Sequence, residues 1–135
     1  MSRLAVLLLL ALALALPASA QPGRFESPVG DWLVQDGDGV VRIAPCANDL
    51  LCGTIVGTST PKQCRLTILN VAAAEDGSWT GHVTNPENGS VWNAQIWMMG
   101  RNRMQLRGYV FVPLLGQTQT WTRYTGRLAA DCGMR

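Results

Sequence analysis

A single histidine, His82, is the first place to look for acid–base chemistry. A catalytic imidazole needs a nucleophile to activate or a carboxylate to orient it. The residues two positions away, which would share its face on a strand, are Thr80 and Thr84. His82 therefore reads as a solvent-facing strand residue. Asp36 and Asp38, in the run DGDG, resemble the opening of a calcium loop. Such a loop needs another oxygen ligand at its fifth position and a Glu at its twelfth, where this chain has Val40 and Ala47. Asp-Gly pairs are also what tight hairpin turns use, and the turn reading is preferred. Glu75, Asp76 and Glu87 sit in turn-like text as well, so no carboxylate pair is set up for glycoside chemistry. These residues give no reason to expect a catalytic residue, a metal or a cofactor.

The four cysteines are more informative. A zinc site would need close pairs such as C-x2-C, which are missing. An even count in an exported chain reads as two disulfides, and four cysteines allow three pairings. Cys46–Cys52 is favoured because its ends can meet across a short strand connection. That leaves Cys64–Cys132 to tie the C-terminal tail to the middle of the chain. On the loop-entropy relation the two would contribute about 2 and about 4 kcal/mol.

Export is read from the N-terminus, MSRLAVLLLLALALALPASAQ. Arg3 gives a positive start, residues 4–16 an apolar run, and Ala18-Ser19-Ala20 a small-x-small cleavage pattern. The run is shorter than the roughly 20 residues that span a bilayer. The reading is a signal peptide over residues 1–20, a loose leader over 21–29 and one domain over 30–135, located in the periplasm or secreted. No Cys follows the cleavage point, so no lipid anchor is expected. With 11 Lys plus Arg against 9 Asp plus Glu, the chain is close to neutral. Nothing there points to nucleic acid or an anionic membrane as a partner, and no later stretch is apolar enough to span.

The elements that must carry the domain are short. Strands are expected over residues 30–35, 40–44, 51–57, 64–69, 78–84, 91–99, 104–110 and 117–124, with a short helical turn over 71–75. Pro86-Glu87-Asn88-Gly89 is the strongest hairpin signal, because Asn-Gly suits a type I′ turn. Trp92, Ala94, Ile96 and Met98 share one strand face. Met104, Leu106, Gly108 and Val110 alternate against Arg103, Gln105, Arg107 and Tyr109. About eight strands in chain order, joined by tight turns, predict an all-β fold: a small antiparallel up-and-down barrel, closed because closure removes exposed edges.

Several motifs resemble one family. They are GDW at 30–32, VRIAPC at 41–46, LCG at 51–53, WTGHVTNPENGSVW at 79–92, LRGYV at 106–110 and LLGQTQTWTR at 114–123. They are similar to the bacterial envelope family termed domain of unknown function 2147, across nearly the whole mature domain. The resemblance implies a small, exported, lipocalin-like β-barrel and assigns no biochemical role. The segment TSTPKQCRLTIL is shorter than the family pattern and lacks its polar residues, so no role for those residues carries over. Cys64 and Cys132 look like a subgroup feature. The Gly-x-Trp start also resembles the lipocalins proper. That likeness implies that Trp32 closes the barrel floor and that Arg123, from the last strand, packs over its ring within about 6 Å.

A function follows as an expectation. Barrel mouths commonly hold ligands, and five Trp exceed what a core of this size needs. The leading reading is a non-enzymatic binding protein for a small, partly apolar ligand. Trp92, Ile96, Met98, Met104 and Leu106 would line the site, with Arg107 and Arg123 as anchors for a ligand carboxylate. The alternative is a solid barrel that offers its loops, or an outer face around Trp97 and Met99, to another envelope protein.

Overall fold

The computed structural model describes residues 26–134. The export signal read in residues 1–20, and the first part of the leader, lie outside the described residues. Eight strands follow in chain order: β1 Gly30–Leu33, β2 Gly39–Pro45, β3 Leu50–Thr58, β4 Thr67–Ala73, β5 Trp79–Thr84, β6 Val91–Met98, β7 Arg103–Tyr109 and β8 Gly116–Arg123. Each pairs with the next, β8 returns to β1, and all pairings are antiparallel, which makes a closed up-and-down barrel.

Period-two alternation decides which side chains fill it. Facing partners in the ladder are apolar in succession: Trp32 opposite Val41, Val41 opposite Ile55, Leu69 opposite Val83, Ile96 opposite Leu106, Met104 opposite Trp121. These residues, with Ile43, Ile68, Val71, Ala94 and Met98, form one interior cluster. A bulge between Val40 and Val41 lets two consecutive valines be buried, because the extra residue re-aims the strand.

Two expectations need correction. The fourth strand starts at Thr67 instead of Cys64, and it runs on to Ala73, in place of the helical turn expected over 71–75. A single 3-10 turn, Pro61–Gln63, is followed by β4 from Thr67 to Ala73. Alanine is the best intrinsic helix former, but Val71 is fully buried and is paired on both sides, to Leu51 and to Gly81. That tertiary pairing overrides local propensity. The hairpin at Asn88-Gly89 forms, but not through a type I′ turn, which needs positive φ at both central residues. Asn85 and Ser90 close a four-residue loop, in which Gly89 alone has positive φ (75°). The Asn85 and Asn88 side chains accept the amides of Glu87 and Ser90, each at 2.9 Å.

Both disulfides pair as favoured from the sequence, Cys46–Cys52 and Cys64–Cys132. The second fastens the tail beside the end of β3, where Thr58 bridges Gly133 and donates its amide to the Cys132 carbonyl at 2.7 Å.

Candidate functional site

The two ends of the barrel differ. One is sealed by Trp32, which is fully buried and donates its indole N–H to the Pro28 carbonyl at 2.7 Å. The Arg123 guanidinium lies over the Trp32 ring, 4.1 Å from its centre. Its nitrogens donate to the carbonyls of Val29 and Arg101, both at 2.7 Å. Ile96, Met98 and Met104 are packed above this floor in the closed core.

The other end is hollow. A cavity of about 400 Å³ is formed where β2, β4, β6 and β8 begin and β3, β5 and β7 end. Its apolar wall includes Val41, Ile55, Ile68, Val83, Trp92, Leu106 and Trp121. Towards the mouth the lining turns polar, with Thr58, Asn85, Gln117 and Gln119, and then acidic, with Asp36, Asp38 and Glu87. Among the described residues, no Lys or Arg lines it.

The wall is weakest between β8 and β1, which pair at only two positions. Beyond them the Gln35 side chain substitutes for a strand, accepting the Thr120 amide at 2.8 Å. Gln119 also lies on this side, and its carbonyl accepts the Trp121 indole N–H at 2.9 Å.

The span of these features coincides with a family match. A family model described as an uncharacterized protein conserved in bacteria (DUF2147) covers residues 30–123, from the first residue of β1 to the last of β8. The chain belongs to the DUF2147 family. No curated protein and no solved structure matches it. Cys132, which anchors the tail of this DUF2147 barrel, lies outside the matched span.

The residues chosen from sequence divide into three groups in the DUF2147 barrel. Trp92 and Leu106 line the cavity. Ile96, Met98 and Met104 face inward but too deep, in the sealed half. Neither arginine reaches the cavity. Arg107 stands on the outer face of β7, where it donates to the carbonyls of Pro113 and Leu114 and, at 2.7 Å, to the Thr118 hydroxyl. Arg123 lies under the floor, committed to backbone carbonyls. A ligand carboxylate would find no cation here. His82 pairs in register with Asn70 and Asn93, its ring nitrogen 3.4 Å from the Asn70 side-chain oxygen.

Sequence reasoning missed Val41, Ile55, Val83 and Trp121, although strand alternation marks all four as inward. It also missed the polar band of Gln117 and Gln119. Those two residues share a face with Trp121, and that i, i+2, i+4 spacing was the available signal.

Proposed function

We propose that this protein is an exported, non-enzymatic binding protein that holds a small, partly apolar ligand in the open half of its barrel. The observation that carries this reading is the 400 Å³ cavity. It falls within the range of about 300–1,000 Å³ occupied by small-molecule sites, and it joins an apolar inner wall to a mouth rich in polar and acidic side chains. An eight-stranded barrel is only just wide enough for one ligand, so a hollow upper half is not the default outcome of closing one.

The lining narrows the ligand class. Its apolar body would rest against Trp92, Trp121, Val83 and Leu106. Its polar end would meet amide and hydroxyl groups and, at the mouth, carboxylates. A neutral or cationic end suits that surface; a carboxylate does not. Export rests on the N-terminal signal reading, and two disulfides are compatible with a compartment outside the cytosol. The rival reading, a solid barrel acting only through its outside, is less favoured because the interior is not filled.

Native mass spectrometry of protein purified from its own host's envelope tests this. The expected result is a co-purified small molecule that leaves on unfolding. Repeated recovery of the bare chain alone would count against the proposal.

A further inference from the structure

Between β7 and β8 the chain runs Val110-Phe111-Val112-Pro113-Leu114-Leu115, six residues without one polar side chain. Phe111 is 88% exposed and Leu114 85%, and Val110, Val112 and Leu115 are also exposed. Connections of this kind are ordinarily polar, and contiguous apolar surface on a protein marks a contact site.

The segment is held in shape. The Leu115 amide donates to the Val112 carbonyl at 2.9 Å, and Val110 and Leu115 pair across the base. From the outer face of β7, Arg107 grips the carbonyls of Pro113 and Leu114. Phe111 has φ +67°, a left-handed conformation that bulky side chains avoid. The chain thus places a large apolar residue, in a strained conformation, at the tip of a fixed loop in water. Observed strain of this kind is grounds for a functional hypothesis.

We propose that this lip docks the open end of the barrel on a lipid bilayer, with Phe111, Leu114 and Leu115 entering the headgroup–acyl boundary. The area decides against a second copy of the chain. Five side chains on one loop present a few hundred Å², where a stable protein interface needs roughly 800 Å² from each partner. Docking here is apolar, not electrostatic. Arg107 is turned onto the loop's own carbonyls, and the charges lining the neighbouring mouth are Asp36, Asp38 and Glu87. A zwitterionic surface therefore suits the lip better than an anionic one. Gly108 and Gln117, on either side of the loop, line the cavity, so docking would bring the mouth to the membrane. The inference rests on the lip alone and stands whether or not the cavity holds a ligand.

The test is sedimentation of the protein, purified from its host, with phosphatidylcholine vesicles at low salt and at about 0.5 M salt, where charge effects are screened. Wild type should partition with the vesicles equally at both salts. The double variant Phe111→Ser/Leu114→Ser should lose at least tenfold in partition with unchanged thermal melting, while Phe111→Trp should retain it. The proposal is overturned if wild type stays in the supernatant, or if the serine variant partitions as wild type does. Binding only to anionic vesicles that high salt abolishes would also overturn it. So would lip-dependent self-association without vesicle binding, which would assign the lip to a second copy instead.

Discussion

The guanidinium of Arg123, at the end of β8, lies 4.1 Å from the centre of the Trp32 ring on β1, and the two residues are direct cross-strand partners. One side chain thereby ties three segments together at the floor: the ring, the Val29 carbonyl before β1 and the Arg101 carbonyl between β6 and β7. Replacing Arg123 with Ala removes a cation–ring contact and charge-assisted hydrogen bonds, for an expected loss of about 2–4 kcal/mol in urea unfolding. Arg123→Lys should recover less than half, because an ammonium cannot span both carbonyls and the ring. A loss below about 0.5 kcal/mol, the scale of a neutral surface change, would mean the floor holds without it.

Gly30 should be coupled to that pair. Its φ is +135°, and a Cβ there would collide with the Arg123 guanidinium. Gly30→Ala is expected to lower the melting temperature. Part of that loss should vanish in an Arg123→Ala background, since the steric conflict is then gone. Simple additivity across the double-mutant cycle would show that only backbone conformation is at stake.

Which parts of this were legible follows from what alternation encodes. A period of two tells inside from outside, and that placed Ile96, Met98, Met104 and Leu106 in the barrel. It says nothing about depth along the axis. Trp92, Ile96 and Met98 share one face, yet only Trp92 reaches the cavity. The same parity that sends Leu106 inward sends Arg107 outward, so the sequence already held the evidence against Arg107 as a ligand anchor. The extent of β4 was hidden because Ala72 and Ala73 have weak strand preference, and only pairing with β3 and β5 makes them extended.

The two disulfides should differ in worth. Cys64–Cys132 closes a span of 68 residues and Cys46–Cys52 one of 6. Removing the long bridge with paired Ala substitutions should cost about 4 kcal/mol, and removing the short one about 2. Hydrogen exchange should further show the Thr58 amide losing protection only when the long bridge is gone, since that amide donates to Cys132. Equal losses for both would contradict the tail's role.

A pH effect is expected at the turn before β5. The Ser78 hydroxyl and amide donate to the Asp76 carboxylate at 2.6 and 3.0 Å. These bonds, the hydroxyl's first, hold its pKa below the ordinary value of 3.8. A carboxyl whose pKa falls on folding stabilises the fold above its unfolded pKa, and that contribution is lost as pH drops through the folded one. The turn is therefore held at neutral pH and loosens only in acid, below the usual Asp range. In an NMR titration, Asp76 should titrate at lower pH in wild type than in Ser78→Ala. Coincident midpoints would remove the hydroxyl from the account.

The most direct measurement is a fluorescence titration with a neutral apolar dye, N-phenyl-1-naphthylamine, because Trp92 and Trp121 stand in the cavity wall and would report its arrival. The account predicts saturable binding of one dye per chain, weakened tenfold or more by Val83→Trp, which fills the cavity. Phe111→Ser/Leu114→Ser should leave it unchanged. Absence of saturable binding, or binding that Val83→Trp does not affect, would contradict a ligand site inside the barrel.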